Sequence, residues 1–227
     1  MARIMNDLPF QFRGEPLHAL PSGAMYWPRQ RLLCVSDLHL GKSDRMARRG
    51  GPMLPPYETR ETLERLGTDL SLTDARAVIC LGDSFDDLAA SRDLDPALRD
   101  LLLGLMAGRH WIWILGNHDP GPVDLGGTHL SEHAAPPLVF RHIAQPGAAG
   151  EVSGHYHPKA RLAVRGRAFS RRCFLLDRQR LILPAYGTYT GGLAADRPEL
   201  AALMDPDAEA ILLGPTPVRM PMPRAAG

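Results

Sequence analysis

Residues 111–119 read WIWILGNHD, an apolar run that ends in a glycine and three polar residues. A short apolar run bounded by such residues is typical of a buried β-strand. Residues 31–39 (RLLCVSDLH) and 77–86 (AVICLGDSFD) have the same form. Each of the three predicted strands therefore ends in polar side chains that the packing of a core does not require.

Helical patterns separate these strands. Residues 57–70 place leucines at helical spacing behind an acidic first turn. Residues 95–105 begin with Asp-Pro, a suitable N-cap before a suitable first helical residue. The alternation favours an α/β sheet with mostly parallel strands. Because ligands bind beyond the carboxyl ends of the strands in such sheets, we expect the three polar clusters to converge on one site.

The second half of the chain is richer in predicted strands. An α/β half followed by a β-rich half predicts two packed sheets flanked by helices. No linker divides the chain, so we expect a single domain over residues 1–227, with an extended or frayed Pro-rich segment from about residue 215. The strands of this half are expected at residues 137–141, 161–165, 172–176, 180–183 and 209–213.

Composition excludes several classes of protein. The net charge of +1 predicts neither a general nucleic-acid binder nor an enzyme for acidic substrates, so any basic surface must be local. The cysteines Cys34, Cys80 and Cys173 lack metal-binding spacing. The first ten residues lack the apolar region of a signal peptide, and no apolar stretch is long enough to cross a membrane. We expect a soluble, cytoplasmic protein.

Acidic residues and histidines recur at spacings that suit metal ions. If the extended backbone continues through Asp37 and His39, their side chains point to the same side and can hold one ion. His155 and His157 repeat this arrangement. A glycine accompanies each later cluster and lets the backbone turn tightly. Mixed carboxylate, imidazole and amide-oxygen ligands suit Mn, Fe, Zn or Co.

The motifs DxH, GDxxD, GNHD and GHxH, in this order, resemble those of the calcineurin-like metallophosphoesterases. The resemblance spans residues 31–158. It implies an α/β fold, a four-layer αββα sandwich of two mixed β-sheets flanked by helices, and two divalent metal ions. The ligands that it implies are Asp37, His39 and His157 for one ion, Asn117, His142 and His155 for the other, and Asp83 for both.

Three histidines could supply the lone histidine that this family has before GHxH. His142 fits best, because residues 138–142 read as a strand that runs into a histidine. His129 and His133 lie in a loop-like stretch and remain alternatives.

The resemblance also implies roles in catalysis for residues that do not bind metal. His118 would contact the substrate phosphate and protonate the leaving oxygen, Asp119 would orient His118, and Asp86 would support the metal ligands. Two ions about 3.5–4 Å apart can neutralise a phosphodiester and lower the pKa of a bound water toward ~7, so that a bridging hydroxide attacks phosphorus. A histidine with an ordinary pKa of about 6.5 can protonate the leaving group.

Segments outside these motifs narrow the predicted substrate. Residues 40–52, 154–158 and 180–193 resemble the bacterial ligase-associated DNA-damage-response endonucleases, a group within this superfamily. That resemblance implies a cytoplasmic, manganese-dependent DNA nuclease linked with a helicase, an ATP-dependent DNA ligase and an exonuclease. The near-neutral charge favours a single strand or a DNA end over a long duplex.

Basic and aromatic residues near the motifs give modest support for DNA. Arg45, Arg48 and Arg49 lie one turn apart if helical, and we predict that they bind substrate phosphates. Three tyrosines could either stack on unpaired bases or pack in the core. They are Tyr156, Tyr186 and Tyr189.

Two other functions stay open from the sequence. A small-molecule phosphoesterase, acting on a nucleotide or a pyrophosphate-linked lipid precursor, would share the whole metal site. A closed pocket or a lipid-sized apolar cleft would favour it over a nuclease. A non-enzymatic scaffold would have lost ligands, whereas this chain has a suitable residue at every expected position.

Overall fold

The computed structural model describes residues 6–48, 50–51, 55–164 and 167–225. Its first sheet has seven strands in the order of the sequence, antiparallel from β1 to β4 and parallel from β4 to β7. The predicted parallel strands are confirmed as β4, β5 and β6, and β1 to β3 extend the sheet beyond the prediction. The strands are β1 (Leu8–Phe12), β2 (Glu15–Ala19), β3 (Met25–Trp27), β4 (Leu32–Val35), β5 (Ala77–Leu81), β6 (His110–Ile114) and β7 (Thr128–Leu130).

The second sheet has eight strands in the order β15-β14-β12-β13-β10-β9-β8, with β11 paired to β12. All five strands predicted for this half are present. Within the segment expected to be extended or frayed from residue 215, β15 pairs antiparallel with β14. The strands are β8 (Glu132–Ala135), β9 (Leu138–Arg141), β10 (Glu151–Ser153), β11 (Lys159–Val164), β12 (Arg167–Leu176), β13 (Arg180–Ile182), β14 (Glu209–Leu212) and β15 (Val218–Pro221).

Helices cover the outer faces of the sheets. In the predicted helix α4, the Asp95 carboxylate accepts hydrogen bonds from the N–H groups of Ala97 at 2.9 Å and Leu98 at 3.3 Å, as an N-cap does. In the described part of the chain, no helix combines the length and apolar character that a membrane span requires. The helices are α1 (Lys42–Arg48), α2 (Glu58–Thr73), α3 (Leu88–Arg92), α4 (Pro96–Met106) and α5 (Pro198–Leu203).

Three apolar layers hold the sheets and helices together. Leu63 and Leu66 of α2 pack against the first sheet. Trp27 and Phe140 meet between the two sheets, with ring centroids 6.4 Å apart. Leu200 of α5 packs on the outer face of the second sheet. Burial of each such side chain contributes about 1.5–3 kcal/mol. The order of layers is the αββα sandwich that the sequence predicts.

The strand register brings the metal motifs to one edge of the sandwich. Val35 of β4 pairs with Cys80 of β5, and Leu81 of β5 pairs with Ile114 of β6, so these three strands end side by side. In the second sheet, β9 and β10 run parallel and end just before the histidine motifs of that half. Both sheets therefore contribute polar residues to the same edge.

Candidate metal centre

The metal motifs leave their strands through left-handed backbone turns. The expectation of an extended backbone through Asp37 and His39 is wrong, because β4 ends at Val35. Instead, the N–H groups of Asp37 and His39 donate to the carbonyls of Gly82 and Asp83, which joins the first two motifs. The ligands with positive φ are Asp37 (52°), His39 (46°), Asp83 (46°), His155 (70°) and His157 (47°).

The first cluster consists of Asp37, His39 and His157. One ligand atom of each lies within 4.8 Å of the others, and His157 Nε2 is 3.1 Å from Asp37 Oδ1. Asp37 Oδ1, His39 Nε2 and His157 Nε2 are buried and make no aligned hydrogen bond to a described residue, because the 3.1 Å contact between Asp37 and His157 lacks hydrogen-bond geometry. A buried polar atom without a partner costs about 1–3 kcal/mol. A divalent ion bound by all three would remove that cost, so these residues fit a metal.

Asp86 orients the His39 ring. Its carboxylate lies 2.9 Å from His39 Nδ1, contacts Arg45 Nε, and is 3.9 Å from Lys42 Nζ. Burial would raise the pKa of Asp86, but these contacts lower it overall, so the group stays a carboxylate. The Asp86 carboxylate accepts a hydrogen bond from His39 Nδ1–H, which leaves the Nε2 lone pair of His39 for a metal.

The second cluster contains Asp83, His142 and His155, with ligand atoms within 4.8 Å of one another. His142 Nε2 lies 2.9 Å from Asn117 Oδ1, 3.3 Å from His155 Nδ1 and 3.4 Å from Asp83 Oδ2. His142 Nδ1 donates to the carbonyl of Leu81 at 2.8 Å. Because that carbonyl can only accept, Nε2 is the atom available to a metal. The ligand atoms of this cluster contact one another.

The alternative histidines lie outside both clusters. His129 Nε2 accepts a hydrogen bond from the N–H of Val123 at 3.1 Å. The His133 ring packs near Phe140, with centroids 6.4 Å apart. Of the three candidates, His142 is the one that the fold brings to the other predicted ligands.

Charges in the second cluster are coupled. Burial lowers the pKa of His142, but the carboxylates of Asp83 and Asp37 raise it overall. Burial also acts to raise the pKa of Asp83, and the contacts with His142 and the His118 N–H hold it well below its usual range. For His155, burial and the nearby His142 lower the pKa. Without an ion, the cluster therefore favours a proton on His142 beside an ionised Asp83.

Comparison with known proteins agrees with this arrangement. The model of the calcineurin-like phosphoesterase family matches residues 30–172, which include every residue of both clusters. This chain belongs to the calcineurin-like phosphoesterase family. The phosphoesterase is also similar to the crystal structure of the nuclease MPE of Pseudomonas putida, with 32% sequence identity, a TM-score of 0.73, and coverage of 94% of this chain and 100% of that chain. No curated protein matches its sequence.

Membership of this family makes the protein a metal-dependent hydrolase, and the two clusters could hold the divalent ions that the family uses. Asp83 also lies within 4.8 Å of ligand atoms of His39 and His118. It therefore faces both clusters, as the predicted bridging ligand must.

In the phosphoesterase, His118 is held from two sides beside the first cluster. Its backbone N–H donates to Asp83 Oδ1 at 2.8 Å, and its Nδ1 donates to the carbonyl of Asp86 at 2.9 Å. The ring meets His39 edge-on, with centroids 5.1 Å apart. These contacts fix the ring and leave Nε2 for contact with a substrate.

Asp119 has a different role from the predicted one. Its carboxylate accepts hydrogen bonds from the N–H groups of Ser84 at 2.8 Å, Phe85 at 3.1 Å and Gly116 at 3.1 Å. Burial raises its pKa to about 6, against the lowering effect of these N–H groups. Asp119 thus joins two metal-binding loops, and the Asp86 carbonyl is the group that orients His118.

Close packing requires glycine at two positions of the metal motifs. A Cβ at Gly82, where φ is +74°, would lie 2.6 Å from His142 Cγ, and one at Gly154 would lie 2.6 Å from Asp37 Oδ2.

Sequence analysis missed the role of Ser36. Its Oγ donates to Asp37 Oδ2 and so helps to orient that ligand. The only signal in the sequence is a hydroxyl at the end of an apolar strand.

The predicted substrate-binding arginines follow the first motif on helix α1. Arg45 contacts Asp86, and Arg48 Nη2 lies 3.1 Å from Asp87 Oδ1. Arg49 lies outside the described residues. Arg45 and Arg48 therefore already face carboxylates, which offset much of the charge that each would present to a phosphate.

Proposed function

We propose that this phosphoesterase is a DNA endonuclease that hydrolyses phosphodiester bonds in single-stranded DNA or near strand ends. The observation that carries the proposal is the likeness to the Pseudomonas putida nuclease. That likeness covers 94% of this chain, whereas the family motifs lie within residues 30–172. All phosphoesterases of this family share the metal site, and the likeness to the nuclease extends to segments outside it.

The side chains divide the chemistry between them. When bound, two divalent ions would neutralise the phosphodiester and lower the pKa of a water toward ~7. His118, fixed by the Asp86 carbonyl, would donate the proton that the leaving oxygen needs. The residues that would hold the ions are Asp37, His39 and His157 for one, Asn117, His142 and His155 for the other, and Asp83 for both.

The finer parts of the proposal concern the ion and the cellular setting. The ion is Mn²⁺, which suits mixed imidazole, carboxylate and amide ligands, as Fe, Zn and Co also do. The protein acts on DNA in the damage response in the cytoplasm, in functional association with a helicase, an ATP-dependent ligase and an exonuclease. The resemblance of residues 40–52, 154–158 and 180–193 to the ligase-associated endonucleases supports this setting.

A cleft supports a second candidate, hydrolysis of a nucleotide or a pyrophosphate-linked lipid precursor. The cleft has a volume of about 850 Å³ and lies between residues 144–149 and helix α5. It reaches Tyr156, which lies between two predicted ligands. Alanines, Leu203 and Arg180 line it, together with the acidic residues Asp177, Glu199 and Asp205. Ligand pockets are commonly about 300–1,000 Å³ and mostly apolar.

Cleavage of circular single-stranded DNA in Mn²⁺ tests the proposal, with bis-p-nitrophenyl phosphate as a parallel substrate. Wild type is expected to nick the circle. Asp83→Asn removes a ligand shared by both ions, and His118→Ala is expected to lose about 10²–10⁴-fold in rate. His133→Ala, outside the clusters, is the matched control.

Each outcome decides between the candidates. Nicking by wild type and by the His133 variant, with loss in the other two, supports the nuclease. Hydrolysis of the small ester without nicking contradicts it and favours the nucleotide or lipid substrate. Inactivity on both substrates, with metal content confirmed, contradicts both.

A further inference from the structure

The segment of residues 187–193 lies beside the first metal cluster. It begins at Gly187, whose N–H donates to the carbonyl of Asp37 at 3.1 Å. It ends at Leu193, whose N–H donates to the carbonyl of Tyr156, between the two histidines of GHxH, at 3.1 Å. Both ends of the segment are therefore fixed to the backbone of metal motifs.

Burial separates the three tyrosines that the sequence offers for base stacking. Tyr186 is fully buried, and its hydroxyl donates to Asp69 Oδ2 at 2.8 Å. Tyr156 is half-buried and packs in the apolar layer under α5. Tyr189 is 42% exposed. Of the three rings, that of Tyr189 is the one a base can reach most fully from solvent.

The backbone at Tyr189 would favour a glycine. Its φ of +58° lies in the left-handed region, which a bulky L-residue rarely adopts. Burial compensates only in part, because 42% of the Tyr189 surface stays exposed. Residues held in such conformations cluster at ligand-binding sites. An accessible aromatic side chain is thus present where the backbone favours glycine.

The cavity beside Tyr189 has a positive balance of charge. It has a volume of about 210 Å³ and is lined by Arg65, Arg172, Glu61 and residues 187–190. Arg65 lies 3.3 Å from Glu61, while Arg172 donates to backbone carbonyls at 2.8 and 3.3 Å. Carbonyls satisfy the donors of a guanidinium without neutralising its charge, so this wall of the site attracts phosphates.

We propose that Tyr189 is a stacking platform for an unpaired base next to the scissile bond, with the phosphates of the same strand drawn to the cavity of Arg172. The inference rests on the proposed nuclease function and specifies its substrate as a strand whose bases are unpaired at the site. Stacking on an aromatic ring accepts any base, and its loss weakens binding by about 5- to 150-fold.

Cleavage of a labelled single-stranded oligonucleotide tests the platform. The kcat/KM of each variant on DNA is divided by the rate of the same variant on bis-p-nitrophenyl phosphate, which corrects for changes at the metal centre. Tyr189→Ala and Tyr189→Gly are expected to lower this ratio by about 5- to 150-fold, and Tyr189→Phe by less than about twofold. Tyr189→Gly removes the backbone strain, so its melting temperature is expected to be no lower than that of wild type.

Two controls separate stacking from general effects. Leu72→Ala removes a side chain of similar exposure (51%) near the carboxyl end of α2. That end of the helix is hydrogen-bonded to Arg31 at the start of β4, whereas the metal motifs follow the opposite end of that strand. Its ratio is expected to match wild type. In the second control, abasic residues flank the cleavage site. Wild type should then fall to the level of Tyr189→Ala, and that variant should lose nothing more.

The two substrates separate a loss of stacking at Tyr189 from a lack of nuclease activity. If wild type cleaves DNA and both the alanine and glycine variants keep its ratio, the platform is refuted and the nuclease stands. If wild type hydrolyses the small ester but cleaves no DNA, the nuclease assignment is refuted and the platform with it. A loss in Tyr189→Phe equal to that in Tyr189→Ala assigns the effect to the hydroxyl and also refutes stacking.

Discussion

The two metal clusters use the same types of side chain but differ in the state of their ligand atoms without an ion. In the first cluster, His39 Nε2 has no hydrogen-bond partner among the described residues, and Asp37 Oδ1 meets His157 Nε2 at 3.1 Å without hydrogen-bond geometry. In the second, His142 Nε2 contacts Asn117 Oδ1 at 2.9 Å and His155 Nδ1 at 3.3 Å. An ion in the first cluster therefore displaces one unaligned contact, whereas in the second it must displace hydrogen-bonded contacts. We expect the first ion to bind more tightly.

Asp83→Asn is expected to weaken both clusters at once, because Asp83 faces both. Loss of the stabilisation that both ions provide, about 4 kcal/mol, corresponds to a fall of ~10³-fold in kcat. Steady-state hydrolysis of bis-p-nitrophenyl phosphate measures it. Asp207→Asn, which alters only an exposed pair with Arg178, is the control. A variant that keeps more than about a tenth of the activity would show that Asp83 is not shared.

Arg45→Ala sharpens the comparison by weakening the first cluster alone. Arg45 supports Asp86, which orients His39, and loss of such support lowers metal affinity by about 10–100-fold. Titration calorimetry with Mn²⁺ is expected to show one weakened site and one unchanged site. Arg48→Ala, which breaks only the pair with Asp87, is the matched control. If both variants bind metal normally but cleave DNA poorly, the arginines bind substrate, as the sequence predicted.

The pH dependence of metal binding distinguishes the second cluster. A metal binds neutral His142, whose pKa is raised above 6.5 in the metal-free protein. Binding of the second ion is therefore expected to release a proton near neutral pH, and affinity falls by up to about tenfold per unit as pH drops below that pKa. Calorimetry in two buffers of different ionisation enthalpy measures the released proton. A heat that is independent of the buffer contradicts the assignment.

Ser36→Ala tests the smallest contribution to the first cluster. Ser36 donates to Asp37 Oδ2, and the N–H of His155 donates to the same oxygen at 3.0 Å. Because one of the two donors remains, we expect a loss of about 1 kcal/mol, or about fivefold in affinity for the first ion. Thr68→Ala, which removes an exposed helix hydroxyl, is the control. An unchanged affinity would show that the backbone alone orients Asp37.

Local patterns predict the strands that carry the site, because an apolar run followed by turn residues specifies a buried strand wherever it lies. Strands β4, β5 and β6 follow this rule, and so does β9, which delivers His142. The hairpin of β1 and β2 also had a signal, since Phe10 and Phe12 alternate with exposed residues. Strand β10 has only three residues, which is too short for a periodic pattern.

Contacts between distant residues are the part that the sequence does not predict. The carboxylate of Asp119 binds N–H groups about 35 residues away rather than the adjacent His118. Arg45 finds its partner on another motif, 41 positions along the chain. Such pairings depend on how loops approach one another after the sheets have packed. Residue type and spacing identify the candidate ligands, while the supporting contacts need the tertiary structure.

The left-handed backbone of the ligands has a practical consequence for engineering. Replacement of His39 by glycine would leave the buried Asp86 carboxylate without its 2.9 Å partner. At the half-buried His155 and His157, replacement by glycine would relieve a conformation that costs an L-residue roughly 1–2 kcal/mol. A library sorted only for heat resistance, in a chelating buffer, will therefore enrich catalytically dead clones at these positions. Sorting in the presence of the ion reverses this bias, because each intact ligand then stabilises the folded chain.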